Sequence, residues 1–372
     1  MADSGKYGSR SIRSKGYLPT LDGWRTISIL SVILFHDGIH TLGPFSTQWF
    51  YLHGYVGVDI FFSISGLLIC SKLFSEERTK VAINVRSFYV RRAFRILPPA
   101  VAFLAFLLLL AHTIHLEVGL PEVIASLCFM RNYTFTFTHF QSIYPGYTSH
   151  FWSLAVEEHF YLILPALLVI SKRRWWRVPA LFAIALAVSI NRVTHGANEH
   201  TGTRIDALFF AAAIAILIQN PVLRTWLTRW LWLWPLVAGF ILVLVNRAES
   251  THLPGLALAW LLPFVILGTM LRPQSWFSRF LELAPMRYVG RLSYSLYLWQ
   301  QLFFITHFDA GGRVSGPLSR LQAWPYNALL VILFALFSYY LIEQPFIRLG
   351  RKLLTPKVTD IGPQLEPQPL AQ

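Results

Sequence analysis

Leu21-Asp22-Gly23-Trp24-Arg25-Thr26-Ile27-Ser28-Ile29-Leu30-Ser31-Val32-Ile33-Leu34-Phe35-His36 is apolar enough to enter a bilayer, yet it carries Arg25 near one end and His36 near the other. At about 100° per residue, a spacing of eleven returns a helix almost to its starting direction, so the two side chains share a face roughly 16 Å apart along the axis. An ionisable group in hydrocarbon costs at least about 2.5 kcal/mol on insertion scales, and such groups usually face a protein-lined or watery interior where they serve a function. The plainer alternative has Arg25 snorkelling to headgroups at one interface and His36 resting at the other. The rest of the chain decides between them.

Around this stretch lie 372 residues of which 55% are hydrophobic and only 13% charged, with a mean hydropathy of +0.49. That is too apolar for an ordinary soluble domain, and the expected fold is all-α, a polytopic membrane helical bundle. The net charge of +14 is not a nucleic-acid footprint, because 25 of the 32 Lys and Arg fall in the N-terminal tail, 72–95, 172–177, 224–229, 272–291 and the C-terminal stretch from Arg348 onward. These clusters alternate with apolar stretches. Every second connection is therefore basic, which by the positive-inside rule places both termini and the basic loops in the cytoplasm. Cys70 and Cys128 lack the spacing of a zinc site or a disulfide framework. No metal site and no cleavable signal peptide is expected.

Spans are expected near 21–40, 55–74, 96–115, 152–171, 177–194, 203–220, 230–246, 254–271, 292–308 and 324–342. About ten crossings return the chain to its starting side, in agreement with the charge pattern. The piece at 120–135 is short for a span and reads as re-entrant or interfacial. The expected organisation is a flexible cytoplasmic tail over 1–17, a membrane domain over 18–350, and a Pro-rich disordered tail over 351–372.

Three further stretches carry ionisable groups. In Gly57-Val58-Asp59-Ile60-Phe61-Phe62-Ser63-Ile64-Ser65-Gly66, small residues permit close helix contact and Asp59 places an acid near the outer end. In Arg91-Arg92-Ala93-Phe94-Arg95, Arg92 and Arg95 are three apart on one helix face, where two guanidinium forks suit a phosphate or pyrophosphate. In Trp152-Ser153-Leu154-Ala155-Val156-Glu157-Glu158-His159-Phe160-Tyr161, two adjacent glutamates lie inside an apolar span, which is hard to reconcile with a lipid-facing role for both.

Taken with Arg25-x10-His36, Ser293-Tyr294-x-x-Tyr297-Leu298-Trp299 and Glu343-Gln344-Pro345-Phe346, these motifs resemble, in order and spacing, the acyltransferase-3 family of integral membrane acyltransferases over residues 17–350. The resemblance implies transfer of an acyl group, commonly acetyl, from cytoplasmic acyl-CoA to a hydroxyl of a carbohydrate or other exported acceptor, in a bacterial inner membrane. No permanently bound cofactor is implied; acyl-CoA is a co-substrate. Gln300 stands where many relatives have His, and Asp37 follows His36 where a small residue is more usual. The esterase-like domain of some longer relatives has no expected counterpart here.

On this reading His36 is the general base on the acceptor hydroxyl, an imidazole being matched to proton transfer near neutral pH. Transient acylation of His36 is an open alternative. Glu157 or Glu158 would orient the ring and stabilise its cation. Arg25, Arg92 and Arg95 would hold the acyl-CoA. Asp59, Trp152, Ser153, Arg204 and Asp206 would support or contact the acceptor, Arg204 and Asp206 resembling a polar pair of relatives. A transporter or flippase is the competing class, since a solute path also needs buried charges. A haem protein using His36, His40, His53 or His307, and a zinc hydrolase, are weaker alternatives.

Overall fold

The computed structural model describes residues 18–37, 41–42, 45–46, 48–80, 82–133, 146–171, 174–196, 199–247, 253–304 and 318–354. The expected tail over 1–17 and residues 355–372 of the one expected over 351–372, together with His40 and His307, lie outside them. Ten principal helices run through the described residues: α1 Pro19–Phe35, α2 Val56–Lys80, α3 Val85–Thr113, α4 Phe151–Ile170, α5 Arg177–His195, α6 Asp206–Leu217, α7 Trp234–Arg247, α8 Leu253–Leu271, α9 Ala284–Phe303 and α10 Tyr326–Leu354. A two-residue hairpin, Thr41–Leu42 with Phe45–Ser46, is the sole β structure among the described residues.

Seven helices are long and apolar enough to cross a membrane: α2, α3, α4, α5, the Pro221–Asn246 run that contains α7, α8 and α10. The protein is an all-helical integral membrane protein. The remaining three expected spans are also helical but differ in kind. Helix α1 has 17 residues, α9 carries Arg287 and Arg291 in its first half, and α6 has 12 residues, about 18 Å of rise. Helix α6 alone is too short to span, and all its residues from Asp206 to Ile216 are buried. The piece near 120 is an eight-residue helix, Leu120–Leu127, followed by a 3-10 turn at Arg131–Tyr133. At about 12 Å it cannot cross either.

The two largest shifts of boundary have physical reasons, and α9 also starts eight residues before its expected span, at Ala284. Helix α3 starts at Val85, eleven positions before the expected apolar edge, and runs through Pro98 and Pro99. Prolines are tolerated in membrane helices, and the Tyr294 hydroxyl of α9 ties this part of α3 in place by donating to the nearby Ile96 carbonyl at 2.7 Å. Helix α10 continues to Leu354, so residues 351–354 belong to it and not to a tail. Its π-helical segment, Ser338–Glu343, turns Glu343 inward, where the Ser295 hydroxyl donates to it at 2.9 Å. Pro345, which offers no N–H to the carbonyl four residues back, sits directly after this wider turn.

Small residues set the core spacing. A Cβ on Gly66 of α2 would strike the Leu208 carbonyl of α6, and one on Gly290 of α9 would strike the Asp22 carbonyl of α1. These close approaches bring α1, α2, α6 and α9 into backbone contact, the usual means of helix association without a hydrophobic driving force. Trp24 secures α1 to α8 by donating to Thr269 Oγ1 at 2.9 Å.

Candidate active site

His36 caps the C-terminus of α1, and its Nδ1 lies 2.8 Å from the Val32 carbonyl. A carbonyl only accepts, so Nδ1 carries the proton and the basic nitrogen of the neutral ring is Nε2. A backbone carbonyl of its own helix thus holds the Nδ1 side of the ring. Asp37 beside it is buried. His150, immediately before α4, is also buried, with its ring against Phe103, Phe151 and Tyr297 at centroid distances of 5.5, 4.8 and 5.3 Å. Burial pushes its imidazole well below the ordinary histidine range, with the neighbouring charges of His36 and Arg131 acting the same way. His36 and His150 therefore share one neighbourhood. The Tyr297 hydroxyl donates to the His150 carbonyl at 2.6 Å and lies 2.6 Å from Ser153 Oγ, which fixes the start of α4 on α9.

Glu157 is held deeper, on α4. Its Oε1 accepts from Ser65 of α2 at 2.8 Å and its Oε2 from the Tyr161 hydroxyl at 2.9 Å. The Arg92 guanidinium of α3 stands 4.0 Å over the Tyr161 ring. Glu158 is within electrostatic range of Arg92, and its buried Oε1 has no hydrogen-bond partner. Arg25, Arg92 and Arg95 lie within electrostatic range of one another, and Arg25 also pairs with Asp22 at 2.9 Å. The three predicted cations thus gather from α1 and α3. The glutamates connect to their side of the site.

The expected acceptor groups divide in two. Arg204, in the short helix Thr201–Arg204, lies 3.5 Å from Asp59 and stacks its guanidinium 5.3 Å from the Trp152 ring. Both Asp59 oxygens, Ser63 Oγ and Arg204 Nε are buried without a hydrogen bond, an arrangement that suits a small polar guest or water. Asp206 does not pair with Arg204. Two positions apart, the two side chains leave the chain on different sides, and Asp206 bonds Arg192 of α5 at 2.6 Å, with both groups fully buried. Ser189 donates to the other Asp206 oxygen at 3.1 Å.

Spacing alone assigns no role to Tyr161, Ser65, His150 or Arg192. Tyr161 was within reach, since Glu157 and Tyr161 stand four apart on one helix face. Arg192 had no such signal. Gln300 is fully buried and donates to Gln301 Oε1 at 3.2 Å. Gln301 in turn donates to the Gly146 carbonyl at 3.1 Å, holding the turn before His150.

The acyltransferase domain family model matches residues 18–343 of this chain. The O-acetyltransferase OatA of Staphylococcus aureus strain NCTC 8325 is 26% identical over 370 residues, covering 91% of this chain and 58% of that protein. A protein of S. aureus strain COL, provisionally named an O-acetyltransferase, is 29% identical over 367 residues, again covering 91% and 58%. The chain thus spans less than two thirds of the length of these relatives. No solved structure matches it.

Proposed function

The chain belongs to the acyltransferase 3 family, and on that premise we propose that it moves an acetyl group from cytoplasmic acyl-CoA to a hydroxyl of a carbohydrate or other exported acceptor. The observation that carries this reading is the connected line Arg92, Tyr161, Glu157, Ser65. It runs from an anion-seeking cluster into the bundle interior, where a thioester arm can follow it. Arg25, Arg92 and Arg95 hold the donor's phosphates at the cytoplasmic mouth, with both chain termini on that side. Asp59, Arg204 and Trp152 receive the acceptor, the ring of Trp152 offering a stacking face for a sugar. Ser153 and Asp206 hold their surroundings in place.

In the transfer, His36 Nε2 takes the proton from the acceptor O–H as the oxygen attacks the thioester carbonyl. The C–S bond breaks, and the imidazolium returns that proton to the departing thiolate, giving the ester and free CoA. Glu157 accepts from Ser65 and from the Tyr161 hydroxyl, and so orders the polar wall of the donor path without itself stabilising the oxyanion. A solute pathway would have no need of cations grouped for phosphate.

The test is turnover by the purified protein in nanodiscs. Radiolabelled acetyl-CoA with a glycan mixture should release free thiol and label the glycan. Arg92→Gln with Arg95→Gln should raise the KM for acetyl-CoA more than that for acceptor. Glu157→Gln should lower kcat. Movement of solute with no thiol release would replace this reading with transport.

A further inference from the structure

The inner cation cluster contains a member with no role in the scheme above. Lys72 lies eight residues before the end of α2 at Lys80, and Arg92 lies seven residues after the start of α3 at Val85. Only residues 81–84 separate the two helices, and Lys72 lies within electrostatic range of Arg92. Lys72 is four residues before Glu76 and five before Glu77, where a helix would ordinarily supply its carboxylate partner. Both acids are engaged elsewhere. Glu76 meets Lys80 at 3.2 Å and Arg91 at 3.8 Å, and Glu77 meets Arg177 at 2.6 Å.

Arg25, Arg91, Arg92 and Arg95 all lie within electrostatic range of Lys72. Of these five cations, Arg25 has Asp22 and Arg91 has Glu76. Lys72, Arg92 and Arg95 make no ion pair among the described residues. Like charges gathered in this way repel one another, more strongly at a protein surface than in bulk water. Glu158 lies within electrostatic range of Arg92, and Glu343 of Arg95 and Arg25, but neither acid makes an ion pair with them among the described residues, and the charges set against Lys72 are those of the four arginines, so an anion relaxes the site. The Arg92 and Arg95 forks suffice for one phosphate group. A third cation, a compact ammonium on a flexible stem from a separate helix, adds reach to a second.

Resting on the donor reading above, we propose that Lys72 is a donor-binding residue that, with Arg92 and Arg95, contacts the phosphates of the nucleotide end of acyl-CoA. Its role is recognition of the polyanion and not chemistry. The acyl end and the pantetheine arm do not meet it.

The test uses the full chain in phosphatidylcholine nanodiscs, with CoA and adenosine 3′,5′-bisphosphate titrated calorimetrically. Lys72→Gln should weaken both ligands five- to twentyfold, and Lys72→Arg should stay within threefold of wild type. In turnover, Lys72→Gln should raise the KM for acetyl-CoA with kcat within twofold. With acetyl-pantetheine, which lacks the nucleotide, the variant and wild type should behave alike. Equal CoA affinity in Lys72→Gln and wild type overturns the role of Lys72 and leaves the donor reading standing. A wild-type protein that binds no CoA overturns both. A Lys72→Gln effect that appears only when phosphatidylglycerol is added would assign the lysine to lipid headgroups, and would equally overturn the proposal.

Discussion

The guanidinium of Arg92 faces the Tyr161 ring at 4.0 Å while the hydroxyl of that ring donates to Glu157 at 2.9 Å, so one tyrosine touches a cation of the inner cluster and a half-buried carboxylate at once. The two contacts are separable. Tyr161→Phe keeps the ring under Arg92 and removes one of the hydrogen bonds to Glu157. It should lower kcat about tenfold, the scale of one hydrogen bond to a charged group, and leave the KM for acetyl-CoA within twofold. Tyr161→Leu removes the aromatic face as well and should raise that KM three- to tenfold, as a lost cation–π contact of about 1 kcal/mol implies. Steady-state kinetics on the two variants read the difference.

His36 sits at the cap of α1, so replacing it removes no turn of the helix. His36→Ala should cut turnover by about 10²- to 10⁴-fold, the usual range for a lost general base, with the melting temperature in detergent unchanged within two or three degrees. Normal acetyl transfer by that variant would remove the base assignment. Mass spectrometry of the wild type incubated with acetyl-CoA alone tests the alternative: an acetyl adduct on His36 would make the reaction two-step.

Hydropathy and charge were enough to locate every principal helix, because α1 to α10 each overlap one expected span. They misjudged lengths where helices leave hydrocarbon. The first eleven residues of α3 are amphipathic and basic, and the last twelve of α10 are equally so, so neither looks like a span. Within the site, the grouping of Arg25 with Arg92 and Arg95 was legible, since basic residues at span ends share a side of the membrane. Partner choice across helices was not. Glu157 turned to Ser65 and Tyr161, Arg204 to Asp59, and Asp206 to Arg192. A one-dimensional period tells which face a side chain occupies but not which helix lies opposite.

The Arg192 and Asp206 pair is fully buried, with Arg192 also donating to the Thr203 and Gly255 carbonyls, the latter at 2.8 Å. Removing one partner of such a pair strands the other charge, at a cost of about 3–5 kcal/mol. Arg192→Met should therefore lower the melting temperature sharply and reduce the amount of folded protein. The double variant Arg192→Met with Asp206→Leu should recover part of that loss, because no uncompensated charge remains. Equal destabilisation in the single and double variants would mean that Arg192 acts through its bonds to the Thr203 and Gly255 carbonyls, which hold α5 to the Thr201–Arg204 helix and to α8, and not through its pairing with α6.

Gly290 and Gly239 separate the effect of close helix approach from that of helix propensity. Both lie inside helices, and alanine is the better helix former by about 1 kcal/mol, so propensity alone predicts that either change stabilises. At Gly239 an added Cβ meets nothing within 4 Å, and Gly239→Ala should be neutral or slightly stabilising. At Gly290 the same atom would overlap the Asp22 carbonyl, so α9 must draw back from α1. Overpacking of this kind typically costs about 1–3 kcal/mol. Because Asp22 also holds Arg25 at 2.9 Å, the displacement reaches the donor site. Gly290→Ala should lower the melting temperature and raise the KM for acetyl-CoA, with Gly239→Ala changing neither. Thermal unfolding in detergent and donor titration on the two variants decide it, and a Gly290→Ala protein as stable as wild type would show that α1 and α9 have room to separate.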